Sequence, residues 1–288
     1  MRKIPPVIKE LCIWCFRASA ILPDSVYLKI IYRIRVHKKL NLNDPKSFTE
    51  KIQYMKLMDH NPIYTCIADK YAVREFVEER IGKEYLVKLY GVYDKIEKIP
   101  YSKLPEQFVI KATHDSGGCI LVDSKNKLNI KKTNKRLKRI LHRNFYWKGR
   151  EWCYKGIPPR IICEELLEDE TGTGLIDYKI YCFHGIPRMV GIATNRKTDL
   201  RFDYFDTDFN HLNFVQSAPN SETPLVKPER FEEMLDLATK LSKGFQQVRV
   251  DLYNTKGKIY FGEMTLYDSS GLDGYQPDEW DYKIGAWW

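Results

Sequence analysis

Residues 247–271, QVRVDLYNTKGKIYFGEMTLYDSSG, carry the clearest structural pattern in this chain. Apolar and polar residues alternate in two runs, Gln247–Tyr253 and Lys258–Thr265, and a glycine-containing turn joins them. Alternation of this kind on both sides of a short turn predicts a β-hairpin. We expect a three-residue loop, Thr255–Gly257, whose glycine takes the left-handed conformation.

The register of this hairpin determines which side chains meet. With a three-residue loop, Glu263 lies opposite Arg249 and diagonal to Asp251, and Thr265 shares their face. The two carboxylates are then roughly 7–8 Å apart, so they can hold one or two hard cations between them. A slip of one residue would turn Glu263 away from Asp251.

Both carboxylates lie among apolar residues of their strands. Burying a carboxylate is costly unless a cation or a hydrogen-bond donor compensates it. The hairpin therefore predicts a metal site at Asp251 and Glu263. The alternative is a solvated amphipathic hairpin whose acids face water.

Composition limits the class of protein. The 288 residues suffice for one large or two modest domains, and a hydrophobic content of 43% is typical of a globular chain. The net charge of +9 predicts an anionic partner, which could be nucleic acid, a phosphate, anionic lipid or acidic polysaccharide. The seven scattered cysteines include a single CxxC, at Cys12–Cys15, which favours reduced thiols and a cytoplasmic protein.

The start of the chain is apolar, aromatic and basic. Residues 1–20 resemble a signal peptide, but Lys9, Glu10 and Arg17 interrupt the apolar run. No run of about 18 apolar residues exists that could span a membrane. Residues 6–36 predict either core helices or a basic amphipathic segment, and the second interpretation places residues 1–39 in peripheral contact with an anionic membrane.

A second stretch, residues 107–123 (QFVIKATHDSGGCILVD), predicts two strands around a loop of small residues. The loop comprises His114, Asp115, Ser116, Gly117 and Gly118. Glycine backbone amides can approach a phosphate closely. Lys111 precedes the loop on an apolar strand, where a phosphate would compensate its charge. The motif is neither a P-loop nor GxGxxG, and a plain glycine hairpin turn is the alternative.

Helices are predicted ahead of this loop. Ser47 and Glu50 form a capping-box pattern at the start of one helix. Residues 67–82 predict another, in which Lys70 and Arg74 are four residues apart and project from the same face. Such a pair suits phosphate or carboxylate binding, whereas the alternative is a solvated basic edge.

Residues 125–150 contain eleven lysines and arginines and no acid. An apolar stripe predicts a basic surface helix over 131–143, capped at Thr133 or Asn134. The aromatic rings of Tyr146 and Trp147 nearby fit either sugar rings or single-stranded nucleic acid.

Two further strands complete the pattern. The run of residues 160–167 ends in an acidic, glycine-containing loop at 168–174, which we interpret as a hinge, and residues 177–183 carry a second strand-embedded lysine, Lys179. Lysines neutralise phosphates, glycine amides surround them, and acids hold the Mg²⁺ that bridges their oxygens. The ordered set predicts a nucleotide–Mg²⁺ site in an α+β protein with mixed or antiparallel sheets.

These motifs resemble the ATP-grasp superfamily, and within it the TupA-like branch, which is named for teichuronopeptide biosynthesis. The resemblance runs from about residue 22 to residue 285. Six segments carry it: NDPKSFTEKIQ (43–53), ADKYAVREFV (68–77), LPEQFVIKATHDSGG (104–118), IICEELL (161–167), DYKIYCFHG (177–185) and RVDLYNTKGKIYFGEMT (249–265).

The resemblance implies an ATP-grasp fold with the nucleotide between two sheet subdomains. It implies a helical N-terminal region at 1–105, a small lid subdomain at 106–165 and a large subdomain carrying the Mg²⁺ site at 166–288. Lys111 and Lys179 resemble the paired nucleotide-binding lysines, and the loop 114–118 resembles the one that closes on the phosphates.

The adenine and metal positions follow from the same resemblance. Residues Glu164, Glu165 and Leu167 would line the adenine slot, with the Leu167 amide as the hinge donor. Asp251 and Glu263 match the two Mg²⁺ carboxylates. Thr265 stands where many relatives have an asparagine, and its hydroxyl is the weaker ligand.

The implied activity is ATP-dependent ligation of a carboxylate to an amine through an acyl phosphate. The implied acceptor is a uronic acid of a bacterial surface polysaccharide such as a capsule, and the amine is an amino acid or a small amine. Lys70, Arg74 and Arg249 are the catalytic candidates, since they could bind the acceptor carboxylate or the acyl phosphate. We expect no nucleic-acid partner.

Three other functions remain open at this point. An enzyme of the same fold could be a sugar or polyol kinase, or the chain could be a glycosyltransferase of polysaccharide assembly. A non-catalytic nucleic-acid binder could use the basic stretch 125–150.

Overall fold

A computed structural model describes residues 21–167, 170 and 172–288. The helices are Asp24–Arg35 (α1), Phe48–Met58 (α2), Ile63–Ala68 (α3), Val73–Ile81 (α4), Ile130–Leu141 (α5), Tyr146–Gly149 (α6), Phe231–Ser242 (α7) and Glu279–Gly285 (α8). The strands are Leu89–Tyr93 (β1), Phe108–Ala112 (β2), Ile120–Val122 (β3), Ile161–Glu164 (β4), Asp177–Phe183 (β5), Ile186–Thr194 (β6), Arg201–Phe205 (β7), Gln247–Thr255 (β8) and Lys258–Thr265 (β9).

The strands form two antiparallel sheets. The smaller has the order β1-β4-β2-β3, and the larger has the order β7-β6-β5-β8-β9. The predicted α+β class with two sheets is confirmed. The predicted strand at residues 177–183 is also confirmed.

Each sheet has its own hydrophobic core. Leu137 and Ile140 of α5 pack on the smaller sheet against Phe108 and Ile110. The larger sheet shares a core with α7 and with helices α2–α4 of the N-terminal region. The N-terminal helices therefore pack with the second half of the chain, while β1 belongs to the smaller sheet. The predicted boundary near residue 105 does not coincide with this division.

The β8–β9 hairpin differs from the predicted one in its turn. Its loop has two residues, Lys256 and Gly257, both with positive φ (52° and 66°). The extra residue is Gly262, at a bulge that pairs Asp251 directly with Glu263. The predicted pairing of Glu263 with Arg249 is therefore wrong. The predicted shared face survives, because the bulge corrects the register that the shorter turn would have shifted.

A glycine is needed at this bulge. A Cβ on Gly262 would lie 2.9 Å from the backbone oxygen of Asp251, closer than real contacts of this kind. The absence of a side chain lets β9 approach β8 where the two carboxylates face each other.

The helix predicted over residues 67–82 is broken. The Asp69 carboxylate accepts hydrogen bonds from the backbone amides of Tyr71 and Ala72, which forms a turn that competes with helix. Residues 69–72 thus separate α3 from α4. Lys70 lies in this turn and Arg74 lies in α4, so the two do not share a helical face as predicted.

Two local predictions about capping have different outcomes. The capping box of Ser47 and Glu50 is present at the start of α2. The basic helix begins earlier than predicted, since Asn129 caps it by accepting a hydrogen bond from the amide of Lys132. Residues 1–20, part of the predicted membrane segment, lie outside the described residues. Within the described part of the chain, no helix is both long and apolar enough to cross a membrane.

Candidate functional site

The larger sheet supplies a cluster of buried charges. Lys179 on β5 and Asp251 on β8 are cross-strand neighbours. The Lys179 ammonium donates to Asp251 Oδ2 at 2.5 Å and to Asp177 Oδ2 at 2.6 Å. Burial lowers the pKa of Lys179, but these carboxylates outweigh it and the pKa is raised. Lys179 is therefore a stable cation in a largely buried position.

Arg249 completes this cluster. Its guanidinium binds Asp251 in a bidentate manner, with Nε–Oδ1 at 2.6 Å and Nη2–Oδ2 at 2.7 Å. The remaining terminal nitrogen pairs with Asp268. Burial raises the pKa of the Asp251 carboxyl, but the two cations hold it below its ordinary value. Asp251 thus remains ionised with its orientation fixed by two partners.

Glu263 and Thr265 lie at the open side of the same cluster. Arg249 Nη2 lies 3.2 Å from Thr265 Oγ1 and 3.4 Å from Glu263 Oε1. Thr265 donates its hydroxyl to Glu263 Oε1 at 3.1 Å. The side chain of Glu263 is 43% exposed, whereas that of Asp251 is 3% exposed. Glu263 is therefore the carboxylate that a ligand can reach.

The smaller sheet supplies a second charged group. Lys111 on β2 and Arg74 on α4 both bind Glu164 on β4, at 2.8 Å and 3.0 Å. Arg74 also donates to the backbone oxygen of Val87 at 2.8 Å. Burial lowers the pKa of Lys111, but its neighbours, chiefly Glu164, together more than offset this, so the pKa is raised. Glu164 is thus held by two cations, and Arg74 is occupied by partners within the fold.

Lys70 joins the two groups. Its ammonium donates to the backbone oxygen of Asp115 in the glycine loop at 3.0 Å and lies 4.0 Å from Glu263 Oε2. Glu263 also contributes to the raised pKa values of both Lys111 and Lys179. We call this set, Lys70, Lys111, Lys179, Asp251 and Glu263, the charged cleft. The two predicted lysines and two predicted acids therefore converge on one region.

The glycine loop borders the cleft. His114 is buried, with Nε2 3.2 Å from the backbone oxygen of Ile140 and with Nδ1 lacking a hydrogen-bond partner among the described residues. Burial lowers the pKa of His114. Ser116 and Gly117 are exposed, and the φ of Gly117 is +84°. His114 therefore anchors the loop to the end of α5, while the tip stays open.

Some predicted residues lie elsewhere or are occupied. Tyr146 is buried with its hydroxyl on Asp24, so its ring cannot stack on a sugar as expected. Trp147 is half-buried and its ring contacts the guanidinium of Arg150, and its stacking on a sugar stays a prediction. Leu167 and Glu165 are half-buried after β4, and the Glu165 amide donates to Lys88. Part of the predicted hinge at 168–174 lies outside the described residues.

A buried lysine that holds the loop after β9 was not predicted. Lys56 is buried on α2 and donates to the backbone oxygen and hydroxyl of Ser270, at 2.7 and 2.9 Å. Burial lowers its pKa to about 8. The loop it holds is strained, since Ser269 and Ser270 have φ values of 47° and 58°. The signal was available, because Lys56 is four residues after the buried Ile52 and so on its apolar face.

Asp268 and Asp177 were also missed. Asp268 pairs with Arg249, and Asp177 pairs with Lys179 and with Arg196 at 3.0 Å. Asp177 shares a strand face with Lys179, so its spacing of two was a usable signal. Asp268 lies beyond the hairpin, and only the fold brings it to Arg249.

Asp251, Glu263 and Thr265 are the predicted Mg²⁺ ligands. Among the described residues no cluster of three or more histidine, cysteine or acidic side chains is placed to hold a metal. Mg²⁺ bound with phosphates usually takes one or two carboxylates and keeps several waters. Asp251 already accepts three hydrogen bonds and has about one lone pair left. The residues therefore fit one Mg²⁺ held mainly by Glu263 with one oxygen of Asp251.

Comparisons with known proteins give one family. The family model described as TupA-like ATPgrasp matches residues 50–288. No curated protein matches the chain.

Solved structures with a similar fold share little sequence. A D-alanine–D-alanine ligase from Bacillus anthracis is 15% identical with a TM-score of 0.41, over 70% of this chain and 57% of that one. The corresponding enzyme from Helicobacter pylori is 13% identical with a TM-score of 0.41, over 76% and 60%. A RimK domain ATP-grasp protein from Sphaerobacter thermophilus is 11% identical with a TM-score of 0.43, over 78% and 68%. The chain spans less than two thirds of the length of the two ligases.

Proposed function

This chain belongs to the TupA-like ATP-grasp family, and from that membership we propose that it is an ATP-dependent carboxylate–amine ligase. The observation that carries the proposal is the charged cleft, where Lys111 of the smaller sheet and Lys179 of the larger sheet are each held by a buried carboxylate, and Lys70 lies 4.0 Å from the accessible Glu263. A triphosphate needs several fixed cations, and a ligase of this kind mainly positions groups and neutralises charge.

We assign the nucleotide to the space between the sheets. Lys111 and Lys179 bind phosphate oxygens from opposite sides, and the open tip of the glycine loop closes over them. Glu164 orients Lys111 by its 2.8 Å ion pair. Lys70 joins the phosphate-binding set, because its ammonium lies between the glycine loop and Glu263.

Glu263 and Asp251 would hold Mg²⁺ when the nucleotide is bound, and the ion would then neutralise charge on the phosphates. Arg249 keeps Asp251 in place, since its donors are directed at Asp251, Asp268 and Thr265. We therefore propose Arg249 and Arg74 as positioning residues, and Lys70 as the remaining candidate that contacts the reacting groups.

The proposed reaction has two steps. An oxygen of the acceptor carboxylate attacks the γ-phosphorus of ATP, which forms an acyl phosphate and releases ADP. The amine then attacks the acyl carbon, inorganic phosphate leaves, and the amine loses a proton to give the amide. We propose a uronic acid of a bacterial surface polysaccharide as the acceptor and a small amine or amino acid as the nucleophile, with no nucleic-acid partner.

A coupled ADP-release assay tests the reaction. Purified protein is incubated with Mg-ATP and a panel of uronic acids and amines, and the product is identified by mass spectrometry. We expect ADP, phosphate and amide in equal amounts. A phosphorylated sugar formed without amine consumption would identify a kinase instead. At ATP concentrations below its KM, Lys111→Met should lower the activity by about 10–100-fold, whereas Lys131→Met, which changes an exposed lysine on α5, should leave it unchanged.

We also propose that α1 contacts the inner surface of an anionic membrane. Val26, Ile30 and Ile34 are 41%, 47% and 59% exposed and follow one another at a spacing of four, so they form a single apolar stripe. Lys29 and Arg33 are exposed beside it. An apolar stripe bordered by cations is typical of a helix that lies on anionic lipid.

Sedimentation with vesicles tests this contact. The full chain should sediment with vesicles of phosphatidylcholine and phosphatidylglycerol more than with phosphatidylcholine alone, and the double variant Ile30→Glu, Ile34→Glu should sediment less. Leu121→Glu is the control, because Leu121 is 53% exposed on β3 and away from the stripe. Equal loss in the control variant, or no binding by the unaltered chain, would refute the contact.

A further inference from the structure

Three arginines line a groove on the outer side of the glycine loop. Arg136 and Arg139 on α5 and Arg143 just after it are spaced by three and four residues, so they project from one side of the helix. Together with Gly117, Gly118 and Ile140 they enclose a pocket of about 450 Å³. We call this pocket the arginine groove.

Two of the three arginines in the arginine groove have no acidic partner within the described chain. Its lining residues include no acid, and residues 124–150 contain none. Arg143 pairs with Asp115. Arg136 and Arg139 donate only to backbone oxygens, those of Cys119 and Lys135, in the part of the chain that the structure describes. Two neighbouring guanidinium groups therefore lack a counter-charge.

The groove shares a wall with the charged cleft. Asp115 directs its backbone oxygen at Lys70 and its carboxylate at Arg143. One loop residue thus contacts the cation beside Glu263 on one side and the groove on the other. At Gly117 an added Cβ would meet no atom within 4 Å, so nothing packs against the exposed tip of the loop. A ligand that extends past the loop could reach both.

We propose that the arginine groove binds a second anionic group of the acceptor, while the reacting carboxylate lies in the charged cleft. Guanidinium groups bind carboxylate and phosphate through paired N–H donors, so either chemistry fits. The second anion is either the diphosphate of an activated or carrier-linked sugar or the carboxylate of a neighbouring uronate in an oligomer. This inference rests on the proposed ligase function, because that function supplies the acceptor.

Direct binding of two probes tests the inference without requiring turnover. Inorganic pyrophosphate and trigalacturonate are titrated into the full chain by calorimetry, in the presence of saturating Mg-ADP so that the nucleotide site is filled. Binding of pyrophosphate would identify the diphosphate source, and binding of trigalacturonate alone would identify the oligomer. Binding of neither probe would overturn the inference.

Matched variants locate the binding. The double variant Arg136→Gln, Arg139→Gln should lower the affinity for the probe by roughly tenfold or more, since it removes two charge-assisted donors. Lys131→Gln, Lys138→Gln removes the same charge from a different exposed side of α5, and it should change affinity by less than about threefold if the effect is local. Equal weakening by both pairs would show general electrostatic attraction and refute the groove.

The two proposals fail in distinguishable ways. If the chain binds a probe through Arg136 and Arg139 but no acceptor ever stimulates ADP release, the ligase proposal fails and an anion site remains without its assigned role. If ADP release is stimulated and the arginine pair leaves both probe binding and the acceptor KM unchanged, the ligase stands and the groove proposal is removed.

Discussion

The charged residues on the two sides of the proposed site differ in whether they have partners. We call the larger-sheet side the paired wall and the glycine-loop side the open wall. On the larger sheet, Arg249 and Lys179 are largely buried and each is paired with carboxylates at hydrogen-bonding distance. On the glycine-loop side, Arg136 and Arg139 are exposed and have no carboxylate partner among the described residues. The first wall is organised before any ligand arrives, whereas the second gains a counter-charge only when an anion binds.

This difference predicts where stability and function are linked. Removing a partner from a buried, fully paired cluster leaves an uncompensated charge, so both folding and activity suffer. Removing an exposed, unpaired cation costs binding alone. Substitutions in each of the two regions therefore test this difference.

Asp251→Asn should have the largest effect. It removes the charge that holds Arg249 and Lys179 and one oxygen of the proposed Mg²⁺ site, so we expect kcat to fall by about 10²–10³, the usual cost of losing one preorganised electrostatic group. Steady-state ADP release measures this loss.

The control for Asp251→Asn is Asp203→Asn on the same sheet. Asp203 is buried on β7 and accepts hydrogen bonds from Ser221, away from the charged cleft. Its loss should lower the melting temperature while the folded protein keeps its kcat. If both variants reduce kcat equally, the paired wall is a structural element and not part of the site.

Lys111→Met and Arg74→Met should separate binding from stability, because both residues neutralise Glu164. We expect Lys111→Met to weaken ATP binding by about 10–100-fold, which corresponds to the loss of one charge-assisted hydrogen bond. Both variants remove a partner of the buried Glu164 and should lower stability, but Arg74→Met should lower it by about 1.5–3 kcal/mol more, since it also loses the bond to Val87, and it should leave ATP affinity unchanged. Nucleotide titration and urea unfolding measure the two effects, and identical profiles would contradict the division of roles.

Gly262→Ala tests whether the bulge is what aligns the paired wall. The new Cβ would press on the backbone oxygen of Asp251, so we expect a destabilisation of about 1–3 kcal/mol, typical of overpacking, with a fall in kcat as Glu263 shifts. Gly244→Ala is not a suitable control, because the φ of Gly244 is +88°. Gly156→Ala is suitable, since a Cβ there meets no atom within 4 Å and its φ is not positive.

The sequence predicts the shared face of the hairpin because period-two alternation survives small changes in the turn. It does not predict the bulge, since a glycine within a strand is compatible with several local geometries. The break between α3 and α4 was missed because Asp69 offers its carboxylate to nearby amides, a local competition that apolar periodicity does not reveal.

The charged cleft illustrates a second limit. Lys111, Lys179, Asp251 and Glu263 could be selected because charged residues on apolar strands need partners. The partners of these residues could not be identified from the sequence. Arg74, Glu164 and Asp268 come close to the site only after distant segments of the chain pack together.

His114→Gln should have the smallest effect. It tests whether His114 holds the glycine loop to the end of α5, beside the open wall. Burial lowers the pKa of His114 in the folded protein below its value in the unfolded chain. As the pH falls, the unfolded chain therefore takes up a proton at this residue before the folded protein does. Stability is therefore complete above about pH 6.5 and falls as the pH drops through the lowered pKa. The glutamine amide can still donate to the Ile140 oxygen but does not titrate.

Thermal unfolding at pH 7.5 and pH 5 tests this. The melting temperature of the unaltered chain should fall further between these pH values than that of His114→Gln, and the two decreases should differ by no more than about 2–4 °C. An equal loss in both proteins would show that the loop is not anchored by a neutral imidazole, and the contrast between a fixed base and an open tip of the glycine loop would then be lost.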